Sequence, residues 1–313
     1  MDTLPCNPIK ITDHLFQLGT PNFPMYLSLG AEGMLIEGGT GPTAQMIAGQ
    51  IRLLGIDPTR IRHMALTHTH PDHIGAIPRL RLLWPHMEIL AGPTAAHFLR
   101  KDTLLGDFLP ADRTIGEILK EARVIRELPP PLEHYPFHAD RVLEEGEEIA
   151  LGDGIAWRVF ATPGHSPCHT SYYEAREKVL VVADATGFYD PPKDVFWPNY
   201  FSSLEEYCSS IRRMADLPAR LGLLSHNGVI RYHVGEYLGR AMSAAEEYHT
   251  ELLDRVGRGE DPRDICREKA DWVWSLGPLA SYEAILALCG LLLKRSLKEK
   301  DRAQFFPPRA AAA

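Results

Sequence analysis

The chain has 313 residues, a formal net charge of −8 and five cysteines. Its length supports one large domain or a domain with an appendage, and mixed charge with an acidic balance leaves no footprint for nucleic acid. No apolar stretch is long and uncharged enough to span a bilayer, 284–293 being too short, so no membrane partner is expected. Met1 to Cys6 lacks a basic start followed by an apolar core, so no signal peptide is expected. Cys6, Cys168, Cys208, Cys266 and Cys289 show no CxxC spacing and are odd in number, which points to reduced thiols and a cytoplasmic protein.

In chain order, short strands are predicted at Leu15 to Leu18, Tyr26 to Leu29 and Gly33 to Ile36, followed by a turn, Glu37-Gly38-Gly39-Thr40-Gly41. A helix follows near Thr43 to Leu54, then an apolar run, Met64-Ala65-Leu66. That run opens directly into His68-Thr69-His70-Pro71-Asp72-His73, with a helix near Gly75 to Trp84 behind it. From 94 to 138 the pattern is helical and irregular, closes on Pro129-Pro130-Pro131 and reads as an insertion. Strands return over 139–232. One precedes Pro163-Gly164-His165-Ser166-Pro167-Cys168-His169, one runs through Val179 to Val182 toward Asp184, and one runs through Leu221 to Leu224 toward His226. After Tyr232, helices are predicted at Glu236 to Val256, Pro262 to Trp274 and Ser281 to Leu297, broken at Gly257, Gly259 and Gly277-Pro278. Residues 307–313 read as a disordered tail.

Three imidazoles and a carboxylate in six residues can face one small volume, and that donor set suits Zn, Fe or Mn alike. His165, Asp184 and His226 stand at the ends of predicted strands, where loop residues converge on one edge. His14, His63, His86, His97, His134, His138 and His249 sit in no such context and read as packing or surface residues, and Cys168 as a small packed one.

Together, His-x-His-x-Asp-His, Pro-Gly-His, a strand-terminal Asp and a strand-terminal His resemble the metallo-β-lactamase-fold hydrolases over about residues 10–232. The resemblance implies an α/β fold, an αββα metallo-β-lactamase sandwich with a helical insertion and a C-terminal helical lid. It implies a catalytic domain over 1–232 and a lid over 233–306. It also implies two divalent metal ions (Zn, Fe or Mn): His68, His70 and His165 on one, Asp72, His73 and His226 on the other, Asp184 between them. Two such ions can share a hydroxide at neutral pH, and Asp72 could orient it or carry a proton to a leaving group. His169 and Glu37 are expected just behind the ligands, although many of these hydrolases carry Asp where Glu37 stands.

The helical tail and Gly-His-Ser-x-x-His are similar to quinolone-signal-response thioesterases, which implies cleavage of an acyl thioester of the acyl-CoA type. By that likeness Ser281 is a candidate substrate contact, and His233, just beyond the last motif, is another. Glu283 and Ala284 replace a pair of arginines, and Pro71 replaces a tyrosine, so no regulatory partner is carried over. The expected partner is a small-molecule acyl substrate, and the sequence leaves room for a homodimer. Two alternatives stand beside the thioesterase: a glyoxalase II-like, lactone or phosphodiester hydrolase on the same fold, and a regulatory binding protein with a structural metal site.

Overall fold

A computed structural model describes residues 6–277 and 280–306, so the expected tail at 307–313 and Pro278 of the Gly277-Pro278 break lie outside the described residues. The chain forms two compact units. Among the described residues the first comprises 6–161, 168–183 and 221–229, and the second 162–167, 184–220, 230–277 and 280–306.

The first unit contains two sheets. Its seven-stranded sheet runs in chain order: β1 (Ile9–Lys10), β2 (Leu15–Gly19), β3 (Pro24–Leu29), β4 (Gly33–Ile36), β5 (Ile61–Ala65), β6 (Glu88–Ala91) and β7 (Arg141–Val142). The first four strands are antiparallel neighbours joined by tight turns, whereas β4–β5, β5–β6 and β6–β7 are parallel. A parallel pair needs a crossover. Those crossovers are α1 (Ala44–Leu53), then α2 (Pro71–Ile74) with α3 (Ile77–Leu83), then α4 (Pro93–Phe98) with α5 (Thr103–Glu121). The helix expected near 75–84 is α3, and a short α2 precedes it: the Ala76 N–H bonds to the Gly38 and Gly39 carbonyls of the Glu37–Gly41 turn, which separates α2 from α3.

The second sheet is a meander of β8 (Glu148–Gly152), β9 (Ile155–Ala161), β10 (Thr170–Glu174) and β11 (Val179–Val181). In β8, side chains alternate strictly between exposed and buried, as expected for a strand with one face on a core. A hairpin of β12 (Phe188–Asp190) and β13 (Val195–Trp197) belongs to the second unit, after which β14 (Leu221–Leu223) returns to lie parallel to β11. Leu15, Tyr26 and Ile36 of one sheet pack with Trp157, Tyr172 and Val181 of the other. Inside that core the Trp157 indole donates to Ser28 Oγ at 2.9 Å, so the one polar atom the tryptophan buries is satisfied. The opposite face of the seven-stranded sheet is covered by Ile47 and Ile51 of α1, Ile77 and Leu80 of α3 and Phe108 of α5.

The second unit is mostly helical: α6 (Leu204–Ala215), α7 (Val234–Gly257), α8 (Pro262–Trp274), α9 (Tyr282–Lys298) and the short α10 (Arg302–Phe305). Ser203, Asp261 and Ser281 cap α6, α8 and α9 with side-chain oxygens, so these starts are written in the sequence. No helix among the described residues is long and apolar enough to cross a membrane. No disulfide links the cysteines there, and burial pushes the Cys208 and Cys289 thiols up to about 12, which keeps both protonated.

Candidate metal centre

In the first unit, β5 ends at Ala65 and the chain passes through Thr67 into the histidine loop before α2 begins at Pro71. Proline at a first helical position costs no hydrogen bond and starts α2 where the motif needs it. The loop is anchored by backbone: Thr170 N donates to the Thr67 carbonyl at 2.7 Å, and Gly38 N donates to the His73 carbonyl at 2.8 Å. A Cβ at Gly38 would lie 2.4 Å from that carbonyl oxygen, so only glycine lets the turn approach so closely.

Glu37, buried and held at a φ of 79°, is the hub of this loop. Its carboxylate accepts from the Thr67 hydroxyl at 3.0 Å, from the Ser225 hydroxyl and from His73 Nδ1 at 3.0 Å. The hydrogen bonds settle the histidine tautomers. A carboxylate only accepts here, so His73 carries a proton on Nδ1. Thr67 spends its one proton on Glu37, so it accepts from His68 Nδ1 at 3.0 Å. His226 Nδ1 donates to the Asn22 carbonyl at 2.9 Å.

Asp72 Oδ2 lies 3.2 Å from His73 Nε2 and 3.5 Å from His226 Nε2. Ligand atoms of Asp72, His73 and His226 all fall within 4.8 Å of one another, a group that could hold a metal ion. Next to it, His68 Nε2 and His70 Nδ1 are 3.0 Å apart. The buried His169 ring lies 5.2 Å from that of His68. The loop carrying His226 is fixed by the Tyr26 hydroxyl, which reaches the Leu224 and Gly228 carbonyls at 2.6 and 2.8 Å. Burial, and then the Glu37 charge, hold that phenol far above its ordinary pKa, so it remains a donor.

In the second unit, His165 Nδ1 donates to the Asn199 carbonyl at 3.1 Å, while its Nε2 lies 3.6 Å from Asp184 Oδ2. The C-terminal helix α9 supports this pair from behind. Arg295 Nε donates to the Phe201 carbonyl at 2.9 Å, and Ser296 bonds the Tyr200 hydroxyl at 2.9 Å. Those contacts fix residues 199–201, whose Phe201 ring stands 5.4 Å from the His165 ring.

The two residues expected to touch substrate are placed as follows. The Ser281 hydroxyl accepts from Ala284 N at 3.2 Å as the cap of α9. His233 precedes α7 with a left-handed φ of 53° and a side chain 82% exposed, its Nδ1 3.9 Å from Glu236. Sequence reasoning missed Thr67 and Ser225. Each stands immediately before a ligand candidate, which is the one local signal that could have found them.

Residues 25–226, the span that carries all of these ligand candidates, match the metallo-beta-lactamase superfamily. The chain belongs to that superfamily. Accordingly it has the αββα fold, here with helices inserted between β6 and β7 and with helices at the C-terminal end. Among solved structures it is similar to MEM-A1, a subclass B3 metallo-beta-lactamase from a soil metagenome library, with a TM-score of 0.57, 22% identity, and coverage of 78% of this chain and 95% of that one. Among curated relatives it is 25% identical over 212 residues to the atrochrysone carboxyl ACP thioesterase of Aspergillus fumigatus, covering 65% of this chain and 50% of the relative. It is 27% identical over 177 residues to the N-acyl homoserine lactonase AttM of Azorhizobium caulinodans, covering 55% and 59%. The chain spans between 33% and 50% of the length of the first curated relatives it matches.

Within this superfamily member, Glu37 offers a direct test. Glu37→Gln keeps the volume but replaces an acceptor oxygen by a donor, so one of its three partners loses its bond. The expected result is a ~10–100-fold loss of metal affinity, with unfolding easier by about 1–3 kcal/mol. Chelator competition and urea unfolding on the same sample check both, and wild-type affinity in the variant would remove Glu37 from the design.

Proposed function

We propose that this chain is a metal-dependent hydrolase that cleaves an acyl thioester, with His68, His70 and His165 holding one divalent cation, Asp72, His73 and His226 a second, and Asp184 between them. The observation that carries the reading is shared by His68, His73, His165 and His226. Each holds its Nδ1 against a fixed partner and turns its Nε2 to another ligand candidate, His68 to His70, His73 and His226 to Asp72, and His165 to Asp184. Neutral imidazoles and two carboxylates form the donor set that Zn, Fe and Mn accept. When bound, two such cations supply Lewis acidity that activates water near neutral pH and offsets oxyanion charge.

The protein's own residues then divide the work. Glu37, through His73, fixes the orientation of one ligand, while the Asn22 and Asn199 carbonyls fix two more. The Asp72 carboxylate is 24% exposed and can take a proton from the attacking water and deliver it to the departing sulfur as the C–S bond breaks and the C–O bond forms. The choice of a thioester over other esters rests on the likeness to a thioesterase of Aspergillus fumigatus and on the helical tail.

The test is hydrolysis of a panel of aromatic and aliphatic acyl-CoAs, with metal content measured on the same sample. Turnover that is lost on chelation, from protein carrying two metals, is the expected result. Two bound metals without thioester turnover would move the substrate to a lactone or phosphodiester. Absence of metal after reconstitution would overturn the hydrolase reading altogether.

A further inference from the structure

The insertion between β6 and β7 reaches the candidate centre through one face of α5. Asp112 and Gly116, four residues apart and therefore on the same side of that helix, both meet the end of the Glu37–Gly41 turn. The Asp112 carboxylate accepts from Gly41 N at 2.9 Å. A Cβ at Gly41 would lie 2.6 Å from both Asp112 oxygens, and one at Gly75 would lie 3.1 Å from Oδ1 and 2.5 Å from Gly41 N. At Gly116, a Cβ would lie 2.6 Å from Leu128 and 3.3 Å from Pro42. Three glycines thus mark a junction where α5, the turn and the end of α2 touch backbone to side chain. From this junction the turn leads directly to the ligand helix. Gly38 N holds the His73 carbonyl, Ala76 N holds the Gly38 carbonyl, and Glu37 holds the His73 ring.

We propose that Asp112 is a positioning residue: from the insertion helix it fixes the turn against α2 and so sets Asp72 and His73 at the spacing a second cation needs. The inference rests on the two-cation reading given above. It assigns to the insertion a part in metal binding, and the effect is confined to the cation held by Asp72, His73 and His226.

Charge at the junction is sparse. The turn 41–43 carries no ionisable group, α2 carries Asp72 and His73, and α3 carries Arg79 and Arg81. Burial pushes the Asp112 carboxyl up to about 6, against the Gly41 N–H and the Arg79 guanidinium, which lower it. A folded pKa above the ordinary 3.8 means that folding favours the protonated form. Stability therefore falls as pH rises from about 4 through about 6 and is level above that range. Asp112→Asn keeps the acceptor for Gly41 N and removes that slope.

The experiment is titration of the metal-free full chain with zinc against a chromophoric chelator, for wild type, Asp112→Ala, Asp112→Asn and Gly41→Ala. Asp112→Ala should bind one zinc at wild-type affinity and the second at least roughly tenfold more weakly. Asp112→Asn should retain both, because the bond to Gly41 survives. Gly41→Ala puts a Cβ 2.6 Å from both Asp112 oxygens, drives that carboxylate off the turn without removing its charge and should weaken the second zinc alone, which keeps the test open if Asp112→Ala does not fold. Wild-type affinity for the second zinc in either Asp112→Ala or Gly41→Ala would overturn the inference. A parallel loss of both zincs would do the same, since it marks a general structural defect. Wild-type protein that binds no zinc would instead overturn the two-cation reading itself.

Discussion

Asp184→Ala yields folded protein whose hydrolysis falls to less than about a thousandth of wild type and whose metal content drops. The side chain is buried, and one of its oxygens lies 3.6 Å from His165 Nε2. On the two-cation proposal a cation joins this carboxylate and this imidazole, so removing the carboxylate takes one donor from that site. His70→Ala should give the same outcome from the first unit, since His70 Nδ1 lies 3.0 Å from His68 Nε2, where the proposal places a cation. Elemental analysis together with initial rates checks both variants. Full turnover with unchanged metal in either one would sink the ligand assignment.

The second large effect is structural and sits one residue before His165. Gly164 has a φ of 127°, and a Cβ there would lie 2.2 Å from Tyr207 N and 2.3 Å from Tyr207 Cα. Those are backbone atoms at the start of α6, which cannot swing aside as a side-chain tip would. Ser202 N also bonds the Gly164 carbonyl at 2.9 Å, so the loop has no slack in the other direction. Gly164→Ala should therefore destabilise the fold by roughly 3–5 kcal/mol, through overpacking and an unfavourable φ together, and should lose the His165–Asn199 bond. Urea unfolding of the metal-free protein measures the first effect, and an NMR shift of the His165 ring the second. A change within about 0.5 kcal/mol, the range of an ordinary surface substitution, would show that the loop relaxes freely.

The ligand candidates were legible because they are side chains of rare chemical type placed at strand ends, and strand ends can be read from apolar runs. His68, His70, Asp72 and His73 follow β5, and Asp184 follows β11, as the sequence predicts. The C-terminal helices were legible to within two residues because serine, aspartate and proline punctuate them. What aims the histidines was not legible. His226 is oriented by the carbonyl of Asn22 and His165 by that of Asn199, 204 and 34 residues away in sequence. A carbonyl belongs to every residue type, so no pattern marks it. Glu37 was noticed as a departure from aspartate, but its three partners lie on different segments, and only folding shows that one carboxylate serves them all. The hairpin of β12 and β13 escaped notice because three-residue strands are too short to show alternation, and β6 because its four residues follow a predicted helix directly.

The discontinuous make-up of the first unit carries a consequence for how the protein is born. Its strand β14 pairs in parallel with β11, yet residues 184–220 of the second unit separate the two strands along the chain. A ribosome must therefore finish at least residue 223 before β11 gains that neighbour. Until then the growing polypeptide presents β11 as an open edge, able to recruit a strand from any nascent copy nearby. Non-local pairing of this kind is slow to form. Chains stalled or truncated between 183 and 221 should accordingly be the aggregation-prone species during synthesis, and holdase chaperones should engage this protein late, as the final third emerges.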